Sequence, residues 1–286
     1  MIRALILYTK LRSICARMGE NLRRTSRSPL IAEDGAFATA IMTADLRLAV
    51  QVQGEPSHLY ALRESVRHLF DYFAFDIAEG DVLIVADPAA GGTQSQTVTM
   101  AVPVFRSGQI VLFPVVRAPM MDMAGEFPGA YHPEAYEVWQ EGLRLTPIKL
   151  RRGGMAQRDI LRFLTTNSRA PRLLESDLDA MAAVCLEAGA EIRRILGRYG
   201  EDAVGEALEE MFGYGRRRVA RHLQSLPGRR LEGRARLSIG ATTELAVEVA
   251  GQRTEKGIVL DFAGTSTQVA APFNVTADAA KAFAVL

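Results

Sequence analysis

A mixed α+β fold is predicted by three features of the sequence. An amphipathic helical stripe opens the chain, short apolar runs ending in Asp-Pro or turning around glycine follow it, and residues from Gln157 to about Leu226 are helical throughout. The expected order is an N-terminal strand and helix region carrying the pocket loops (1–156), a helical region (157–228) and C-terminal β-strands (229–286). With 286 residues, 48% of them hydrophobic, the chain has ample apolar surface for a core.

Leu7, Leu11, Ile14, Met18 and Leu22 step by four and three, which keeps one face of a helix buried until Arg23 to Ser28. "AFATAIMTADLRLAVQV" reads as two short strands around a turn near Ala44 and Asp45. A second helix, "SHLYALRESVRHLFDYF", is expected to be capped by Ser57 and to bury Leu59, Leu62, Val66, Leu69 and Phe73. "VLIVAD" is a short, wholly apolar strand that delivers Asp87 at its C-terminal end, and "TVTMAVPVF" with "IVLFPVVRA" makes a hairpin across "RSGQ". Residues 118–156, rich in Met, Gly, Pro and aromatics, read as one long loop of functional character. In the helical region Leu178, Met181, Cys185, Ala188, Ile192 and Ile195 form a stripe that Gly200 ends. "LAVEVA" and "IVLDFAG" are strands separated by "GQRTEKG", and the sequence stops in what reads as the start of a helix.

Thirty-four basic against 33 acidic residues give a net charge of +1, which supplies no field to gather nucleic acid or an anionic membrane. Arg216, Arg217, Arg218 and Arg221 are a local exception that reads as a solvated helix face. The two cysteines, Cys15 and Cys185, lie far apart with no Cys-x-x-Cys spacing and read as buried thiols of a reducing compartment. The apolar run before Lys10 is too short for a signal or membrane segment, so a cytoplasmic protein is expected.

Gly91 and Gly92 lack the Lys-Ser/Thr of a phosphate loop, and a turn needing positive φ explains them as well as a substrate approaching the backbone. His58, His68, His132 and His222 have no zinc or non-haem iron spacing. The long loop holds Asp122, Glu126, His132, Glu134, Glu137 and Glu141, enough for acid-base chemistry if they converge. A Gly-x-Ser-x-Gly elbow and a Cys-His pair are both missing, so covalent hydrolase classes have no support.

Several segments, taken in order, resemble one family: "MGENLRRTSRSPLIAE", "RLAVQVQGEPSHL", "ADPAAGGT", "VPVF", "QEGLRLTPIKL", "NSRAPRLLESDLDA", "RYG" and "LDFAGTSTQVAAPFN". It is the B subunit of hydantoinase and 5-oxoprolinase type enzymes, with the related subunit of acetone and acetophenone carboxylases. The resemblance implies an ATP-dependent machine. A partner A-type subunit, holding ATP and Mg2+, phosphorylates the substrate or bicarbonate, and the B-type subunit helps turn the activated species over. The outcome is ring opening of a cyclic amide or carboxylation of a ketone.

The family pattern after Gly-Gly-Thr is His-x-x-Asp, followed one strand pair later by Arg-Ala-His-His-x-Asp; in the carboxylase branch these resemble a divalent-metal site. Here the ligand positions read Gln94, Thr97, Pro119 and Met120, so no metal is expected on this chain. Ala86, Ala89, Ala36 and Gly54 also depart from the pattern, and relative to typical members the chain is expected to be shortened after Leu286. Retained positions imply catalytic roles for Asp87, Arg117 and Asp122, and substrate binding by His58, Gly91, Gly92, Gln140, Glu141 and Arg144. Arg117 would orient an anionic carbonyl or phosphate, and Asp87 would hold the turn or position a water. The leading expectation is a B-type subunit of a hydantoinase/5-oxoprolinase-like amidohydrolase. Its rival is a non-catalytic structural or regulatory subunit of a carboxylase-like complex that also contains a full-length B-type homologue; a metal-free binding protein for a cyclic amide or aromatic ketone is a third reading.

Overall fold

The structure, a computed structural model, describes residues 2–52, 55–226, 228, 230–239, 243–254 and 257–284, without the side chains of residues 56, 59, 130 and 243. The expected burial of Leu59 and the departure at Gly54 lie outside the described residues. In chain order the elements are α1 (Ile2–Thr25), α2 (Pro29–Ala32), β1 (Ala38–Thr43), β2 (Leu48–Val52), α3 (Pro56–Phe73), β3 (Val82–Ala86), β4 (Thr97–Ala101), β5 (Val104–Arg106) and β6 (Gln109–Pro119). They continue with α4 (Val138–Glu141), β7 (Leu145–Arg152), β8 (Met155–Ala156), α5 (Arg158–Thr166), α6 (Pro171–Tyr199), α7 (Glu201–Ser225), β9 (Arg230–Ile239), β10 (Thr243–Thr254), β11 (Gly257–Asp261) and α8 (Ala277–Ala284). The fold is α+β, as the sequence predicts. The chain forms two compact units, one of residues 1–208 with 270–286 and one of residues 209–269.

In the larger unit the strands pair antiparallel in the order β2-β1-β6-β4-β3-β7-β8, with β5 on β6. Helix α3 covers one face, where Leu62, Val66 and Leu69 pack on Ala40, Met42, Leu83, Val85, Phe113 and Val115. Each of those three α3 side chains contributes about 1.5–3 kcal/mol by leaving water. The other face lies under α1 and α6: Thr39 donates to the Cys15 carbonyl at 3.0 Å, and Leu7, Leu11, Ile14, Met18 and Leu22 are all buried. Because both faces are covered, β1, β3 and β4 are buried along their whole length; β3 runs apolar throughout, and the threonines of β1 and β4 are buried with their apolar neighbours.

Two expectations are corrected. The cap of α3 is Glu55, not Ser57; Ser57 lies inside the first turn and donates its hydroxyl to the Glu55 carboxylate at 3.1 Å. The long loop ends at Arg144 instead of residue 156, because β7 pairs with β3. Lys149 hides that strand from a reading of hydrophobic pattern. Its ammonium is buried against Asp81 at 2.8 Å and Asp76 at 3.2 Å, so a charge stands where an apolar residue is expected.

In the smaller unit β9, β10 and β11 form an antiparallel sheet. Leu237 stands opposite Leu245 on one face, and on the other Arg236 pairs with Glu244 at 2.8 Å and Arg234 with Glu248 at 3.0 Å. This is the alternation of a two-faced sheet. Residues 255 and 256 of the expected turn lie outside the described residues.

Candidate functional site

The period of two along β6 sets the site. Phe113 and Val115 point at α3, so Arg117 does too, and it stands opposite Thr99 of β4. Arg117 is completely buried, and its guanidinium donates to three hydroxyls: Ser65 at 3.0 Å, Thr99 at 2.6 Å and Thr93 at 2.9 Å. No carboxylate faces it among the described residues, and its Nε has no partner there. Burial pushes its pKa down to about 9, so the side chain is a cation at neutral pH held in a costly place.

The glycine turn is built against α3. Asp87, at the end of β3, accepts from the Ala89 amide at 2.9 Å and starts a single helical turn over Pro88–Ala90. Gly91 follows with φ +76°, and a Cβ on it would stand 2.4 Å from the Ser65 amide nitrogen and 2.5 Å from the Glu64 carbonyl carbon. A Cβ on Gly92 would stand 2.5 Å from the Asp87 carbonyl oxygen. The pair of glycines therefore serves the close approach of the loop to a helix and to itself.

Asp87 also binds Arg144 through both oxygens, at 3.2 and 2.9 Å, and Arg144 lies over the Trp139 ring at 5.2 Å. Asp122 accepts from the amides of Arg169 (2.9 Å), Ala124 and Gly129 (both 3.2 Å), and pairs with the Arg169 guanidinium at 3.2 Å. Burial raises the pKa of Asp122, but these hydrogen bonds outweigh it and the net shift is downward. Gln140 closes a reciprocal cap on α4 and donates to Glu126 at 2.9 Å. Asp87, Asp122, Gln140 and Arg144 thus fix loops around the site.

The opening itself is a cavity of about 340 Å³ in the larger unit. Its polar lining is Ser57, His58, Thr93, Gln94, Gln96, His132, Glu141 and Asn274; its apolar and aromatic lining is Tyr131, Pro272, Phe273, Val275, Ala279 and Phe283. His58 and Glu141 are therefore brought together with the glycine turn, which Thr276 ties to the C-terminal segment by donating to the Gly92 carbonyl at 3.4 Å. His132 pairs with Glu126 at 3.1 Å. Burial raises the pKa of Glu141. The lining residues Thr93, Gln96 and those of the C-terminal segment carry no chemical signature in sequence, although Thr93 ends the resembling segment "ADPAAGGT" and Pro272, Phe273 and Asn274 end "LDFAGTSTQVAAPFN".

The positions where the family pattern has metal ligands do cluster. Thr97 pairs with Pro119 across β4 and β6, Thr97 Oγ1 donates to Gln94 Oε1 at 3.4 Å, and Met120 donates its amide to the Gln96 carbonyl at 2.9 Å. The side chains gathered there offer neither imidazole nor carboxylate, and a divalent cation does not fit them.

Burial first, and then the charge of Arg117, push the His58 imidazole down to about 3. Its folded pKa lies below the unfolded value of 6.5, so stability is held above that value and lost as pH falls toward 3. The group accounts for about 2 kcal/mol lost between pH 7 and pH 5. Urea melts at the two pH values should show this loss in the wild type and a loss smaller by that amount in His58→Gln; equal losses would refute the buried neutral imidazole.

Residues 1–286 match the family model described as hydantoinase B/oxoprolinase. The chain is 32% identical over 206 residues to caprolactamase subunit beta of Pseudomonas jessenii, covering 72% of this chain and 36% of that one. The crystal structure of the ATP-dependent caprolactamase from Pseudomonas jessenii superposes with a TM-score of 0.91 at 27% identity, over 98% of this chain and 49% of the other. A nucleotide-free acetone carboxylase shares the fold, with a TM-score of 0.87 at 17% identity over 98% of this chain and 39% of the other. The chain thus spans half or less of the length of these relatives.

Proposed function

The chain belongs to the hydantoinase B/oxoprolinase family, and from that premise we propose that it is the B-type subunit of an ATP-dependent hydantoinase/5-oxoprolinase-like amidohydrolase that opens a cyclic amide. The observation that carries the reading is the cavity of about 340 Å³, lined by both hydrogen-bonding groups and aromatic side chains, in a fold shared with a caprolactamase. Such a lining suits a small ring bearing one amide.

In this reading an A-type partner holds ATP and Mg2+ and converts the amide oxygen into a phosphate leaving group. This chain holds the ring. Glu141, whose burial favours its protonated form, and the His132–Glu126 pair are the groups placed for proton transfer. Arg117 acts behind Thr93 on developing negative charge, while Asp87 and Asp122 work as positioning residues through Arg144 and Arg169. The chain contributes no metal of its own, since Gln94, Thr97, Pro119 and Met120 stand at the ligand positions. A cytoplasmic setting belongs to the same proposal and is supported by two unbridged, buried thiols, Cys15 and Cys185.

A second reading, a non-catalytic structural or regulatory subunit of an acetone/acetophenone carboxylase-like complex working beside a full-length B-type homologue, is favoured by one observation. Gln94, Thr97, Pro119 and Met120, none of them a metal ligand, lie close together where β4 and β6 pair. The two are separated by mixing purified A-type subunit and this chain with ATP and hydantoin, 5-oxoproline or caprolactam. Ring-opened product that requires this chain supports catalysis; product only when a full-length B-type subunit is also present supports the second reading. Elemental analysis of the complex is expected to find no transition metal stoichiometric with this chain, and finding one would overturn the metal-free site.

A further inference from the structure

Residues 270–284 belong to the larger unit although they follow the smaller one in sequence, and they bring Phe273, Val275 and Phe283 to the cavity lining. The side chains that anchor this segment are not the bulky ones. Ala279 and Ala282 of α8 are its buried apolar groups, 2% and 1% exposed, and α8 packs on α3. Asp278 ties the two helices, standing 3.8 Å from Arg67 and 3.6 Å from His68, while Thr276 reaches the glycine turn through the long bond to Gly92 already described. Burial raises the pKa of Asp278, but Lys281, Arg67 and His68 outweigh it, so a carboxylate faces these cations. Phe273, Val275 and Phe283 are still 39%, 66% and 56% exposed. Small methyl contacts and partly solvated ion pairs hold an element lightly, and apolar side chains standing in water at an opening gain burial only when the opening is filled and narrowed. Elements that gate a site are drawn from such lightly held segments.

We propose that residues 270–284 are a strap that closes on the occupied cavity, with Asp278 as its latch to α3. The inference rests on the cavity being the substrate site and adds the control of that site. Substrate enters and product leaves past the strap, and Phe273, Val275 and Phe283 fold onto the apolar part of the ring when it closes. Binding then includes the closing step, so apparent affinity falls by the same factor as the closed population. The latch sets that population through charge, because the buried apolar contact of α8 consists of two alanines.

Hydrogen exchange on the full chain tests this, with the chain free and with caprolactam or 5-oxoproline in excess. In the free chain the amides of residues 280–284 should exchange at least about tenfold faster than those in the middle of α3. Asp278→Asn should speed them by about threefold more while α3 and β3 keep their rates, and Asp278→Glu, which keeps the charge, should restore the parent rate. Excess ring should slow the same amides by at least about tenfold. In the complex with the A-type subunit, Asp278→Asn should raise KM for the ring about threefold and leave kcat unchanged. Exchange of 280–284 that neither ring slows, a rate in Asp278→Asn equal to the parent's, or loosening of α3 together with α8 overturns the proposal, as does a fall in kcat with KM unchanged. Turnover in the complex with exchange untouched by the ring sinks the strap alone; exchange slowed by the ring without turnover sinks the amidohydrolase reading alone.

Discussion

Arg117→Met should fold with a stability within about 2 kcal/mol of the parent and lower ring-opening turnover in the complex by at least about a hundredfold. A buried arginine usually reads as a structural residue, and its removal usually exposes an uncompensated carboxylate. Here the guanidinium faces hydroxyls only, so Met relieves the burial of an unpaired charge while costing three hydrogen bonds. The two effects are each several kcal/mol and of opposite sign. Ser65 keeps its bond to the Gly91 carbonyl at 3.1 Å, so the turn stays attached. Urea melts of the chain and turnover with the A-type subunit and ATP check both halves. A loss above about 4 kcal/mol would make Arg117 a structural residue and remove the support for its action on developing negative charge.

The second large effect is on the glycine turn. Gly91→Ala is expected to cost about 4 kcal/mol or more, because the new methyl would overlap α3 backbone at Ser65 and Glu64, which cannot swing aside as a side chain can. The positive φ adds about 1 kcal/mol. Gly35→Ala is the control: its φ is +66° and a Cβ there meets nothing within 4 Å, so only the backbone term of about 1 kcal/mol remains. Similar losses in both variants would show that the loop does not depend on its contact with α3. Any Gly91→Ala protein that still folds should have Thr93 displaced from Arg117 and should support ring opening poorly.

Much of this was legible in the sequence. The spacing of Leu7, Leu11, Ile14, Met18 and Leu22 identifies the buried face of α1, and the apolar run of β3 places Asp87 at its end. Hydrophobic pattern fails at β7, where Lys149 finds its partners Asp76 and Asp81 about seventy positions away. The site is less legible than the fold for the same reason. Thr93 and His58 matter through Arg117, a neighbour set by strand register and by the placement of α3, and the cavity is completed by a segment whose link to Gly92 spans 184 positions. Asp87 and Asp122 look reactive in a linear sequence. In the fold their oxygens are taken by Arg144, Arg169 and backbone amides, and the lining of the cavity draws Glu141 and His132 from the same long loop instead.

Counting ring-opened product per ATP consumed decides whether this chain supplies the amide-opening site of an ATP-dependent complex. The assay uses the A-type subunit with wild-type chain, with Arg117→Met chain and with no chain. Product coupled to ATP is predicted with the wild type alone, with uncoupled or absent turnover in the other two. Equal product without the chain, or with Arg117→Met in its place, would contradict the account.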